Sequence, residues 1–474
     1  MSAFSAALRA PDAPWRRVYG IAWPSIVELM FISMLGMADQ LMVSRLSAAA
    51  VSAVGITSQP MLISFVLFQA FNVGGTALAS RFIGAKDYKS AKSVTSQMML
   101  LSMVFGVIVG VLEYIFARDL VLFMGATPDY LEDAVVYMRF AAVGVVLSSL
   151  PSAVTAALRA IGETKLPMRY NGLSNIVSIL LNFLLIYGVG PFPRMGVAGA
   201  ALATQIGKLC ACVMSLNIIF KNTELPVSIT PRSLFKPDWS VIKRIARVGL
   251  PTMGEQITMR VALLMFTKML VGLGTITFAA HNIAISIIGL SFNVSQAFGF
   301  AATSLVGQSL GAQAPDQAER YVRTARRMGL MVSLSLSLSF FFLGFLIARP
   351  FMSVERLPVI SAMSGIAYAM ARSSNPILMS YLIMMLRVMA FIIPGQTSNL
   401  ILAGALRGAG DTMWPLIATM IGMFIMRVGL ALIFLNVLGL GAFGAWLAFL
   451  LDQYSRALVT LLRFNTGKWK LTKV

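Results

Sequence analysis

Three carboxylates lie where the sequence otherwise reads as membrane hydrocarbon: Glu28, Asp39 and Glu255. Glu28 closes the stretch Ala22-Trp23-Pro24-Ser25-Ile26-Val27-Glu28, and Glu255 closes Gly249-Leu250-Pro251-Thr252-Met253-Gly254-Glu255. The prolines are 227 positions apart, and so are the glutamates. Asp39 has no acidic counterpart at that spacing, because position 266 is Phe. A carboxylate in a low-dielectric cavity is costly when ionised, so it invites neutralisation by a proton, a sodium ion or a cationic compound. Where those three exclude one another, their movements become an exchange. Asp39 fits this role best, since nothing basic lies within one turn on its face; the other reading is a solvated helix-end aspartate beside Arg45. Glu28 precedes it by 11 residues, which puts it on nearly the same face about 16 Å lower. It is either a second station on a proton path or a first-turn glutamate favoured by the helix dipole. Its repetition as Glu255 favours the structural role. Glu255 remains a coupling candidate because the second half has few other acids to face a cavity.

Spanning helices must position these side chains. The chain has 474 residues, 58% hydrophobic and 12% charged, with mean hydropathy +0.81. Soluble domains carry about 25% charged residues, so this surface faces lipid. A spanning helix needs about 20 mostly apolar residues. Twelve such runs occur, near 20–44, 51–80, 92–117, 131–158, 166–189, 196–220, 244–272, 278–306, 325–348, 376–406, 413–438 and 442–464. The expected fold class is therefore an all-α polytopic membrane protein. Basic residues crowd alternate connections: Arg81, Lys86 and Lys89 after the second run, Arg159 and Lys165 after the fourth. Arg232, Lys236 and Lys243 follow the sixth, and Arg320, Arg323 and Arg326 the eighth. The positive-inside rule puts these connections and both termini in the cytoplasm. The net charge of +20 is thereby topogenic, and nucleic acid is not an expected partner. Arg9, Arg16 and Arg17 precede the first run without a cleavage site after it, so no removable signal peptide is read. Cys210 and Cys212 sit two apart on one helix, pointing about 200° apart, which suits neither a disulfide nor a metal.

The sequence repeats itself. Offset 227 also matches Phe71 with Phe298, Thr76 with Thr303 and Gly84-Ala85 with Gly311-Ala312. Further on the offset becomes 248: Pro128 matches Pro376, Leu158-Arg159 matches Leu406-Arg407, Gly162 matches Gly410, and Gln205 matches Gln453. An order kept through a single register shift indicates duplication. Six spans in each half give both copies one topology, related by an axis along the membrane normal. The expected lobes are 1–220 and 244–474, joined by a cytoplasmic linker 221–243, with an insertion at 353–375 on the outer side. Two such lobes enclose a central cleft that rocking opens to each side in turn. No phosphate loop, HExxH or Ser/His/Asp set is present, so an enzyme is not expected and an ion gradient is the expected energy source.

Taken in order, these motifs resemble the multidrug and toxic compound extrusion (MATE) transporters. They are Pro24 with Asp39, Gly84-Ala85, Leu158-Arg159-Ala160-Ile161-Gly162-Glu163-Thr164, and Pro191-Phe192-Pro193 before Gly196-Val197-Ala198-Gly199. The second half adds Ala279-Ala280-His281-Asn282 and Ala403-Gly404-Ala405-Leu406-Arg407-Gly408-Ala409-Gly410-Asp411-Thr412. The likeness is greatest to the bacterial and archaeal branch linked to damage-inducible efflux proteins, and it fails only at 353–375. The resemblance implies antiport: a cationic or amphipathic compound leaves as H⁺ or Na⁺ enters, with no cofactor, across the bacterial inner membrane. A monomer in the lipid bilayer is expected. Asp39 matches the family's span-1 acid. In its proton-coupled members, span 5 adds an Asn and an Asp four residues apart. Here those positions read Ser178 and Asn182, with Asn175 one turn earlier and Thr204 in span 6 as a further polar group. Asn182 can coordinate Na⁺ or donate a hydrogen bond but cannot carry a proton, so Asp39 would act alone or with Glu28.

The second half also holds Arg260, Lys268, Arg387, Arg427 and Arg456 within its spans. Asp452 and Arg456 are four apart and can pair on one helix face. Paired, structural roles are the default for charge inside a membrane. Glu255, Arg260, Arg427 and Asp452 could instead form one inward network. His281 is either a group titrating near neutral pH or a hydrogen-bonded helix histidine. These cations keep a rival reading open, a lipid-linked saccharide flippase of the same superfamily, which needs cavity cations for a pyrophosphate headgroup.

Overall fold

Within hydrocarbon a backbone can satisfy its polar groups only against itself, so each apolar run should fold as a helix. The computed structural model describes residues 13–348 and 376–472, and twelve long helices occupy the twelve expected places. In the first half these are α1 (Pro14–Ser44), α2 (Ala48–Gly84), α3 (Tyr88–Ile115), α4 (Leu131–Ala160), α5 (Lys165–Tyr187) and α6 (Gly196–Lys221). The second half has α7 (Trp239–Val271), α8 (Thr275–Gly311), α9 (Pro315–Ala348), α10 (Pro376–Gly408), α11 (Met413–Asn436) and α12 (Gly441–Asn465). The stretch Ile421–Gly429 of α11 is π-helical. The 353–375 insertion lies outside the described residues.

Three helices start five or more residues before their apolar runs. α1 begins at Pro14, α7 at Trp239 and α9 at Pro315, because their polar first turns continue the helix beyond the hydrocarbon. Pro14 and Pro315 suit a first turn that has no hydrogen-bond acceptor for an N–H. Asp238 caps α7 by accepting hydrogen bonds from the Ser240 and Val241 amides. α7 thus takes up the end of the expected 221–243 linker. Glu28 consequently lies in the middle of α1, and the first-turn explanation for it fails. Among the described residues ten helices are long and apolar enough to cross a membrane. α7 and α12 fall short because they carry Glu255, Arg260 and Lys268, and Asp452 and Arg456, inside their apolar lengths.

Packing repeats the duplication. α4 is wrapped by α2, α3 and α6, and its counterpart α10 by α8, α9 and α12. α1 lies on α5 as α7 lies on α11. Between the lobes, α2 meets α7 and α8, and α1 meets α8. These crossings need small residues. A Cβ at Gly84 would stand 1.9 Å from the Gln308 carbonyl oxygen, and one at Gly311 would stand 1.9 Å from that of Arg81. Hydrogen bonds complete the joint: Ser304 Oγ donates to the Arg159 carbonyl (2.6 Å) and Gln308 Nε2 to that of Ala160 (2.8 Å). Arg81 Nη1 donates to the Thr472 carbonyl at 2.7 Å, and Arg17 Nη1 to the Tyr321 hydroxyl at 2.8 Å. All of these lie toward the end of the bundle where α1 begins and α12 finishes, and among the described residues they shut the joint between the lobes there.

Candidate functional site

α1 and α5 run side by side in a fixed register. Residues 143 apart meet at three levels: Thr164 Oγ1 donates to the Ile21 carbonyl, Asn171 Nδ2 to Glu28 Oε1, and Asn182 Nδ2 to Asp39. The two carboxylate–amide rungs are 11 residues apart on both helices, about 16 Å along the axis. Their surroundings differ.

At the lower rung Glu28 is 1% exposed, and its second oxygen accepts from Arg159 Nη2 at 2.8 Å. The Arg159 guanidinium also covers the Phe300 ring, 4.1 Å from its centroid. The second lobe repeats this arrangement. Arg407 Nη2 donates to both oxygens of Glu255 at 2.6 and 2.8 Å, and Thr419 Oγ1 donates at 3.3 Å. Arg407 and Thr419 each lie 248 positions after Arg159 and Asn171. Each glutamate is thus held in an equivalent neutral ion pair at the shut end. Removing one member of such a pair leaves an uncompensated buried charge, at a cost of about 3–5 kcal/mol.

At the upper rung Asp39 is half-buried and has no ion-pair partner in contact among the described residues. It accepts a hydrogen bond from the neutral side chain of Asn182, and the Thr204 hydroxyl, which donates to the Ala200 carbonyl at 3.0 Å, lies close by. Asn175 and Ser178 do not join them. Both are buried lower on α5, where Ser178 Oγ packs 1.8 Å from the point a Gly207 Cβ would occupy. Two charged groups that the sequence reasoning passed over complete the upper site. Glu113 on α3 is 5% exposed and accepts a hydrogen bond from Ser64. Lys208, one turn beyond Thr204 on α6, interacts across space with both Asp39 and Glu113. Each is a lone charge in an apolar run, which is the signal that could have found it. Gly144 on α4 makes room, since a Cβ there would lie 1.8 Å from Gln205 Oε1 and 2.7 Å from Lys208 Nζ.

The equivalent region of the second lobe is built differently. Asp452, fully buried, pairs with Arg427 at 2.6 Å and with Arg456 at 2.8 Å. Arg427 projects from the π-helical stretch of α11 and lies over the Phe449 ring at 3.8 Å and the Phe266 ring at 5.6 Å. Phe266, the counterpart of Asp39, therefore offers a π face where the first lobe has a carboxylate. The single network expected from Glu255, Arg260, Arg427 and Asp452 does not form. Glu255 is taken by Arg407 and Thr419, and Arg260 Nε has no hydrogen-bond partner. Of the two readings of His281, the hydrogen-bonded one finds no support at Nδ1, which has no partner. The imidazole ring packs among Phe266, Phe278 and Trp446 at centroid distances of 5.7–6.5 Å.

A family model described as MatE matches residues 24–184 and 251–433, one segment in each lobe. A probable multidrug resistance protein NorM of Thermotoga maritima is 29% identical over 95% of this chain and 92% of its own. An uncharacterized transporter, YisQ of Bacillus subtilis, is 25% identical over 98% and 97%. Among solved structures, a multidrug resistance MATE family transporter in an outward-facing conformation superposes with a TM-score of 0.88, at 23% identity and full coverage of both chains. A MOP superfamily transporter from Pyrococcus furiosus superposes with a TM-score of 0.87, at 23% identity over 98% of each chain. At these identities the structural likeness speaks for the twelve-helix fold.

Proposed function

The chain belongs to the MatE family of multi-pass membrane transporters, and from that premise we propose that it exports cationic or amphipathic drugs in exchange for an inward-moving cation, H⁺ or Na⁺. The observation that carries this reading is the contrast between the two rungs of the α1–α5 ladder. Glu28 is neutralised by Arg159, whereas Asp39 accepts a hydrogen bond from the neutral Asn182 amide and keeps its charge available. A proton, a sodium ion or an organic cation can each supply the missing countercharge, and only one at a time. Exchange follows if the lobes rearrange when that site is neutralised. The basic connections support a cytoplasmic position for the shut end, in which case this conformation is the one closed on the inside. The flippase reading is the weaker one, because Arg427 and Arg456 are both bonded to Asp452, although Arg260 Nε has no hydrogen-bond partner.

Ethidium uptake into inside-out vesicles, under separately imposed pH and Na⁺ gradients, tests the proposal. Uptake driven by one of the two is expected. No uptake under either gradient would overturn it.

A further inference from the structure

Three buried acceptor atoms around the upper site have no hydrogen-bond partner: Glu113 Oε2, Asn182 Oδ1 and Gln205 Oε1. Their side chains are 5%, 0% and 7% exposed, and they come from α3, α5 and α6. Buried acceptors without donors are costly, so together they define a place for a positive charge. The chain supplies one itself. Lys208 carries three donors on a flexible stem, and its Nζ lies beside Gln205 Oε1 in the space left by Gly144. It interacts with both Asp39 and Glu113 without a contact ion pair to either, among the described residues. Tyr137 on α4 also lies within electrostatic reach of Asp39. The duplication gives independent support. Lys208 and Arg456 are 248 positions apart, and Arg456 is bound to Asp452 in the second lobe. Both lobes thus hold a cation at this position.

We propose that Lys208 is the resident cation of the Asp39 site and restricts its coupling to protons by excluding Na⁺. This rests on the reading of Asp39 as the coupling carboxylate. With both acids ionised and Lys208 charged, the site carries one net negative charge, which a single proton or a monovalent organic cation neutralises. A proton needs only one oxygen of Asp39. A sodium ion needs several oxygen ligands, and the nearest are those whose negative charge Lys208 already balances. Two cations would then share two carboxylates in a medium that screens them poorly. When Asp39 is neutralised, the ammonium can turn to the open oxygen of Glu113, so the site need not lose its balance.

The test uses the purified full-length protein, with thermal unfolding in sodium chloride compared with potassium chloride at equal ionic strength. Wild type and Lys208→Arg are expected to melt alike in both salts. Lys208→Gln and Lys208→Met are expected to gain a saturable stabilisation by Na⁺, an affinity increase of about tenfold or more, that disappears when Asp39→Asn is added. A Na⁺-specific stabilisation of the wild type would overturn the proposal by itself, even if the charge-removing variants failed to fold. Folded variants that remain blind to Na⁺ would also overturn it. Because melting needs no transport, these outcomes can be read even if ethidium never moves, which would count against the export reading alone.

Discussion

Replacing Gly311 with alanine should hold the shut end open. The new Cβ would stand 1.9 Å from the Arg81 carbonyl oxygen, with the Arg81 carbonyl carbon at 2.8 Å and the Ala85 nitrogen at 3.0 Å. All three are backbone atoms, so no side-chain rotation relieves the clash. Restoring an ordinary contact of 3.4 Å requires α2 and α8 to part by about 1.5 Å. Overpacking of this kind costs about 1–3 kcal/mol if the joint stays closed. The ratio of open to shut molecules should therefore rise about 5- to 150-fold. Ser304 offers a reporter, being fully buried in the same joint with its hydroxyl on the Arg159 carbonyl. In a background with Cys210 and Cys212 changed to alanine, Ser304→Cys should react with a membrane-impermeant maleimide only when that end opens. Its labelling rate should rise with Gly311→Ala, and equally with Gly84→Ala. Gly20→Ala, where nothing lies within 4 Å, should leave it unchanged. An unaltered rate in folded Gly311→Ala protein would refute the idea that this contact keeps the end shut.

Asp39→Asn should reduce ethidium exchange to the level of empty vesicles while leaving the melting temperature close to wild type; normal exchange would remove Asp39 from its assigned role. Arg407→Met should destabilise by about 3–5 kcal/mol through the stranded Glu255 carboxylate, and adding Glu255→Leu should recover much of that. The comparison is made by thermal unfolding, and a double variant no better than the single would contradict the ion-pair account. Hydrogen bonds from Ser240 and Val241 hold the Asp238 carboxyl below the usual carboxylate range. Its capping contribution is complete above the ordinary carboxylate pKa and is lost as pH falls through the depressed one. Asp238→Asn caps about as well without titrating, so its melting temperature should fall less than the wild type's on acidification.

Much of the architecture was legible because a membrane leaves the backbone few options. The apolar runs predicted all twelve helices, and the offsets 227 and 248 paired Glu28 with Glu255 and Arg159 with Arg407 before any contact was known. What sequence could not supply was the contact across helices. The Glu28–Arg159 pair joins residues 131 apart, and the Arg407–Glu255 pair joins residues 152 apart. No local pattern announces either. Asp39 was found from its lack of a twin, but its neighbours Glu113 and Lys208 come from α3 and α6, so a search along the face of α1 missed both. The starts of α1, α7 and α9 escaped because hydropathy marks where hydrocarbon begins, not where a helix does. The π-helical stretch that presents Arg427 has no compositional signature in Ile421–Gly429.

The two lobes differ in which helices carry the acid and the base. In the second, Asp452 and Arg456 ride on one turn of α12, so their separation is the same whatever the neighbouring helices do. In the first, the acid rides on α1 and the cation on α6, and α1 is packed between α5 of its own lobe and α8 of the other. The distance from Asp39 to Lys208 is therefore a mechanical coordinate, set by how α1 lies against its lobe. In the second site one of the two pairings is thus fixed within α12, and only the bond from Arg427 reaches across from α11. In the first, the whole balance depends on how separate helices lie, and a charge arriving at Asp39 would exert a force on α1.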